Sequence, residues 1–188
     1  MIKDNQQHFN RLHVIIDAFV IVVSYILAWW LKFSSGILDS PGGALSFGFY
    51  MKALVVIVPL YLILYYAFNL YTPKRVQGRR LEFSNVVMAN IVGFLLIFTV
   101  LYNLQSYVDQ FRNFSREMFF YFFAINTVLE ESFRLLIRQF LRTIRKNGYN
   151  LKHVLLVGYS RAAEQYIDRI MANPEWGYSV RGILDDHQ

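Results

Sequence analysis

The chain has 188 residues, 55% apolar and 18% aromatic, a formal charge of +6 and no cysteine. The lack of cysteine excludes disulfides, thiol nucleophiles and Cys-based zinc sites, and the four His residues show no metal-ligand spacing. The apolar content exceeds what a soluble core needs, and Lys and Arg cluster beside long apolar runs, which points to a lipid bilayer with anionic headgroups as partner and away from nucleic acid.

Residues 1–11 are polar and mildly basic. The apolar run behind them is too long for a signal-peptide core and lacks an Ala-x-Ala cleavage site, so it is expected to stay in the membrane. A hydrocarbon core of roughly 30 Å takes about 20 helical residues. Residues 12–31 supply them, interrupted by Asp17 and Ser24 and closed by Trp29, Trp30 and Lys32. Residues 53–70 form a second predicted span containing Pro59, which implies a kink whose freed carbonyl neighbouring helices satisfy; Asn69, Tyr71, Thr72 and Pro73 end it. Residues 86–104 form a third, with Ser84 or Asn85 as N-cap and Tyr102 and Tyr107 at the far interface.

The fourth candidate is shorter in purely apolar sequence. Residues 118–129 cover only about 18 Å, so Glu130, Glu131 and Arg134 fall near or within the membrane boundary. The helical pattern continues through Phe133, Leu135, Leu136, Ile137, Phe140 and Leu141, with Arg138, Arg142, Arg145 and Lys146 between them. This reads as one helix leaving the bilayer through a basic collar.

Positive charge in short loops marks the cytoplasmic side. Lys74, Arg75, Arg79 and Arg80 lie between spans two and three, and Lys3 and Arg11 precede span one. Residues 33–50 contain no Lys or Arg, and residues 105–115 contain only Arg112. The expected topology has four spans with both termini in the cytoplasm.

Ionisable groups inside a membrane are costly and are functional candidates by default. Glu130 and Glu131 stand four and three residues before Arg134, so pairing along one helix face is available, with lipid-phosphate or isoprenoid-phosphate contact by Arg134 and Arg138 as the alternative. Asp17, about one and a half turns inside span one, is expected to form an ion pair with the basic loop from Lys74 to Arg80. Asn90 and Asn126 are expected to hydrogen-bond between helices.

Beyond the collar, Asn147, Gly148, Tyr149 and Asn150 stop the helix with a glycine C-cap. Residues 153–157 read as a buried strand, an amphipathic helix runs to about Ala172, and residues 179–184 give a second strand ending in Asp185 and Asp186. In the dinucleotide fingerprint G-x-G-x-x-G/A, Gly158 and Ala163 fill the first and third places, while Ser160 replaces the glycine that lets backbone approach pyrophosphate. The Ser160 hydroxyl retains the capacity to cap the helix and to bond phosphate, and Asp185 stands where a ribose-binding acid would stand. Two readings stay open: a nucleotide site at Gly158, Ser160, Ala163 and Asp185, or a Rossmann-like unit kept for packing. Two parallel strands and one helix leave sheet faces uncovered, so the domain is expected to be cut short at Gln188. The predicted fold is a membrane all-α bundle of four transmembrane helices, residues 1–146, followed by a partial α/β Rossmann-like β-α-β unit, residues 147–188.

Residues spread along the whole chain carry a family resemblance: Asn10-Arg11-Leu12, Asp17, Trp29-Trp30-Leu31-Lys32-Phe33, Asn69-Leu70-Tyr71, Lys146-Asn147-Gly148-Tyr149-Asn150 and Gly182-Ile183-Leu184-Asp185-Asp186. Together they resemble the N-terminal half of bacterial polyprenyl-phosphate sugar-1-phosphate transferases, which initiate exopolysaccharide or capsule units. The resemblance implies a location in the bacterial inner membrane, a CoA-binding-like Rossmann domain, and a following catalytic domain that uses Mg²⁺ to move sugar 1-phosphate from a UDP-sugar to undecaprenyl phosphate. The basic Lys-Phe-Arg-Ser-type segment and acidic pair of that catalytic domain are not found in these residues, so no catalytic residue, metal site or cofactor is expected within them. Membrane nucleotide-sugar 4,6-dehydratases share the layout and form an alternative, as does a non-catalytic scaffold for other polysaccharide-assembly proteins.

Overall fold

The computed structural model describes residues 2–36, 45–72, 79–158 and 160–185, with side-chain surroundings from Leu12 onward except at Arg79. The basic loop residues Lys74 and Arg75, with Pro73, Tyr159 and Asp186, lie outside the described residues. The elements are α1 (Ile2–Phe33), α2 (Phe47–Lys52), α3 (Leu54–Ala67), α4 (Arg79–Tyr107), a short 3₁₀ turn (Asp109–Phe111), α5 (Arg116–Lys146), β1 (Lys152–Val157), α6 (Arg161–Ala172), a second 3₁₀ turn (Pro174–Trp176) and β2 (Tyr178–Leu184). The chain divides into compact units Met1–Ser132 and Phe133–Gln188, the division falling within the continuous helix α5.

Among the described residues, three helical stretches are long and apolar enough to cross a membrane: Leu12–Phe33, Phe47–Ala67 and Arg80–Tyr107. The second differs from the expected 53–70. It starts earlier, as α2, and its helical break lies at Ala53, while α3 continues through Pro59. Its end is as expected: Asn69 takes a φ of 56°, Leu70 N–H donates to the Tyr65 carbonyl (3.0 Å) and Asn69 N–H to that of Tyr66 (3.0 Å). This is a Schellman stop, with asparagine tolerating the left-handed position. The N-cap expectation for α4 is overturned. That helix already begins at Arg79, so Ser84 and Asn85 lie inside it, and Asn85 Nδ2 instead donates to the Phe68 carbonyl beyond the end of α3 (3.1 Å).

This unit buries several polar residues within its apolar core and exposes many large apolar ones. Asp17, Ser24, Asn90, Asn126 and Glu130 are buried, whereas Ile15, Phe19, Val55, Ile63 and Leu95 face outward. Such a surface suits lipid, where helices gain little from hiding apolar groups from each other and associate through close packing and hydrogen bonds. The packing is aromatic. Tyr61 sets its ring edge-on to Phe122, with centroids 5.5 Å apart and planes at 80°, and Tyr25 does the same at 5.5 Å and 74°. Tyr25 Oη donates to the Tyr50 carbonyl (3.0 Å), and Tyr50 Oη accepts from Ser115 N–H (3.0 Å), which ties α1, α2 and the start of α5 together. Lys32, closing α1, forms an ion pair with Glu117 in the first turn of α5.

Two outcomes test this packing. A Cβ at Gly93 would lie 2.8 Å from Tyr61 Cζ and 3.2 Å from Leu64 Cδ1, whereas one at Gly48 would meet nothing within 4 Å. Gly93→Ala is expected to destabilise the bundle by about 1–3 kcal/mol through overpacking and Gly48→Ala to leave it unchanged, as read from thermal unfolding in detergent. The hydrogen bond and then the charge of Lys32 hold the Glu117 carboxyl below its ordinary range. The contribution of this pair is therefore complete above pH 4.5 and is lost as pH falls through the lower folded value. The stability difference between wild type and Glu117→Gln, small because the pair is exposed, should persist from pH 7 to about 5 and vanish in stronger acid.

Candidate functional site

Two clusters of polar residues are built by the fold, one in each unit. In the first unit, α3, α4 and α5 each contribute a buried side chain. Tyr65 Oη donates to Asn90 Oδ1 (3.2 Å), and Asn126 Nδ2 donates both to Tyr65 Oη (3.0 Å) and to Asn90 Oδ1 (2.8 Å). Asn90 Nδ2 is occupied by the Val86 carbonyl one turn earlier (3.1 Å). Asp17 of α1 and Glu130 of α5 lie near enough to act electrostatically on Tyr65. All four long elements of the unit thus converge on one polar centre. The interhelical roles expected of Asn90 and Asn126 are those observed. Tyr65, the hydroxyl joining them, was not legible, because one tyrosine among 13 carries no mark of burial.

The expected partner of Asp17, the basic loop, lies outside the described residues apart from the backbone of Arg79 and all of Arg80. Asp17 itself is 2% exposed, which places it inside the bundle. Glu130 is fully buried and Arg134 nearly so, and their spacing sets them on one face of α5.

The second cluster begins where α5 stops. Gly148 takes a φ of 86°, Tyr149 N–H donates to the Ile144 carbonyl (3.1 Å) and Gly148 N–H to that of Arg145 (3.0 Å), the glycine stop anticipated from the sequence. β1 and β2 then pair in parallel, Val154 opposite Val180 and Val157 opposite Leu184, with an irregularity after Val154 that leaves Arg181 as the extra residue. The Arg181 Nε donates across the sheet to His153 Nδ1 (3.0 Å). The strands match the predicted 153–157 and 179–184 to within a residue at each end.

At the carboxyl ends of these strands, Gly158 N–H donates to the Leu184 carbonyl (2.7 Å), so Gly158 and Asp185 flank the same edge. Gly158 has a φ of 82°, a conformation other residues rarely adopt, and a Cβ there would meet open space. Ser160 is extended (φ −141°, ψ 163°) and caps α6, its Oγ accepting from Ala163 N–H at 3.3 Å. Ala163 and Ile167 are half-buried and Ile170 is buried, which defines the α6 face that carries apolar side chains. Asp185 is exposed. The strand, glycine turn and helix N-terminus thus form an arrangement that suits a phosphate, with Asp185 on the same edge for a ribose hydroxyl. The Ser160 Cβ stands where close backbone approach to a pyrophosphate would require glycine, and its hydroxyl is already used by the cap. Among the described residues, no group of three or more His, Asp or Glu side chains gathers as metal ligands do.

Replacing Ser160 by alanine removes the cap and is expected to cost about 1 kcal/mol, whereas glycine costs only a few tenths. Amide exchange in the first turn of α6 of the full chain should accelerate roughly fivefold in Ser160→Ala and little in Ser160→Gly.

No curated protein and no solved structure matches the chain. Residues 66–188, well over half of it, match a family described as a CoA-binding domain. The match begins in the last turn of α3 and takes in α4 and α5 as well as the β-α-β unit, so it joins one membrane-length helix and the glycine turn in one sequence pattern. The chain therefore belongs to the CoA-binding domain family.

Proposed function

We propose that this chain is the membrane-anchoring and regulatory N-terminal part of an enzyme that transfers sugar 1-phosphate from a UDP-sugar to undecaprenyl phosphate, at the cytoplasmic face of a bacterial inner membrane. Family membership supports a role of this type, since the matched region couples a CoA-binding-like unit to a membrane-length helix, Arg80–Tyr107. The sequence motifs that resemble the transferases supply the finer assignment.

The observation that carries the anchoring role is the composition of the outward face of α5. Phe120, Val128, Leu135, Leu136 and Phe140 are all more than half exposed, while Glu130 and Arg134 are buried. Water would favour the opposite arrangement, so α5 is read as a fourth span. The positive residues in the short loops then put both termini on the cytoplasmic side.

In this reading the spans act by confinement. Undecaprenyl phosphate resides in the bilayer, and a catalytic domain tethered to four helices meets it at a raised effective concentration without any new contact. Gly158 and Asp185 would flank the phosphate and sugar of a nucleotide such as CoA at the end of the two strands, with Ser160 and Ala163 shaping the helix N-terminus beside them through the cap, which gives the regulatory part a ligand. Such a ligand supplies an occupancy signal and takes no part in sugar transfer.

The test is a chimera in which this chain replaces the corresponding half of an active initiating transferase. Membranes containing it should form sugar-diphospho-undecaprenol from a UDP-sugar, and membranes containing this chain alone should not. Product from the chain alone, or a chimera that accumulates in the membrane without activity, would contradict the proposal.

A further inference from the structure

Two polar atoms in the interior of the bundle have no hydrogen-bond partner within the protein: Tyr61 Oη on α3 and Asn126 Oδ1 on α5. Both residues are fully buried. A buried polar atom left unpaired costs its whole desolvation, and such atoms are nearly always met by protein or by ordered water. Turning the Asn126 amide over does not remove the orphan. Its nitrogen donates to Tyr65 Oη (3.0 Å) and Asn90 Oδ1 (2.8 Å), and the reversed amide would set oxygen against oxygen at Asn90. The Tyr61 ring has no room to turn toward α4 for another partner, because it already lies against Gly93.

The two atoms belong to neighbouring layers of the same helices. Tyr61 and Tyr65 stand one turn apart on α3 with ring centroids separated by 6.0 Å, and Tyr61 acts electrostatically on Tyr65, to which Asn126 is bonded. Phe122, one turn before Asn126 on α5, meets the Tyr61 ring at 5.5 Å. One turn is about 5.4 Å, a span that a single small molecule making two hydrogen bonds of about 2.8 Å can bridge.

The chemistry of the pair selects the molecule. Tyr61 has a proton to give and Asn126 Oδ1 has lone pairs to fill, so the occupant must accept one hydrogen bond and donate another. A metal cation would serve the amide oxygen and repel the hydroxyl proton; an anion would do the reverse, and an acyl chain would serve neither. Water serves both. Its second proton has acceptors nearby, since Asp17 of α1 and Glu130 of α5 act on the same Tyr65 hydroxyl.

We propose that the bundle holds a resident water molecule that accepts from Tyr61 Oη and donates to Asn126 Oδ1. The water joins the layer of Tyr61, Gly93 and Phe122 to the layer of Tyr65, Asn90 and Asn126, so the polar centre extends over two turns of α3 and α5.

The experiment uses the full chain, isotope-labelled and deuterated, in phosphatidylcholine nanodiscs. Nuclear magnetic resonance should show cross-relaxation from water to the Asn126 side-chain amide, with the sign of a resident molecule and not of chemical exchange, and Tyr61→Phe should abolish it. The same substitution should lower the thermal unfolding midpoint in detergent by roughly 2–4 °C, because it takes away a satisfied hydroxyl. A wild-type amide without contact to water, or in contact with lipid protons instead, would overturn the proposal. So would a midpoint that is unchanged or raised in Tyr61→Phe, the result expected when an unpaired hydroxyl is removed from an apolar interior. The wild-type spectrum decides the matter even if the variant fails to fold.

Discussion

The bonds among Tyr65, Asn90 and Asn126 set the register of the first unit. In a bilayer the helices are not driven together by exclusion of water, and single interhelical hydrogen bonds contribute only about 0.6 kcal/mol on average. Their value here is directional. Asn126 spends both amide protons on Tyr65 and Asn90, and Asn90 anchors its own amide on the preceding turn. Sliding α5 by a turn would part these groups from one another inside the bundle. Around this centre the bundle is filled by rings meeting edge to face, which admit only the smallest side chain where Gly93 meets Tyr61.

The same logic explains the outer surface. A chain whose polar groups pair internally is free to expose Ile, Leu, Val and Phe, and does so along α1, α3, α4 and α5. In α5 the exposure of apolar side chains persists past the buried Glu130 and Arg134 into the arginine-rich end. The β-α-β unit that follows obeys a different rule. Its turn depends on Gly158 adopting a positive φ, and its helix on the Ser160 cap.

Local signals in the sequence were legible where the physics is local. Gly148 and Asn69 stop their helices because a left-handed residue is needed there, and Ser160 caps because its oxygen reaches an amide three residues away. Asn90 and Asn126 stood out because an amide within an apolar run must find a partner. What depended on distant neighbours was hidden. The start of α4 at Arg79 displaced the caps expected at Ser84 and Asn85, and the second stretch broke at Ala53 although Pro59 carried the obvious signal. Tyr65 and the Lys32–Glu117 pair, whose members lie 85 residues apart, became visible only once the helices were packed.

The proposed fourth span puts the two ends of α5 on opposite sides of the membrane. Because the chain has no cysteine, single substitutions report cleanly. Ser106→Cys, before α5, and Asn147→Cys, after it, would be exposed to a membrane-impermeant maleimide in intact spheroplasts. The proposed topology gives labelling of Ser106→Cys from outside and of Asn147→Cys only after permeabilisation; equal labelling of both from one side would contradict it.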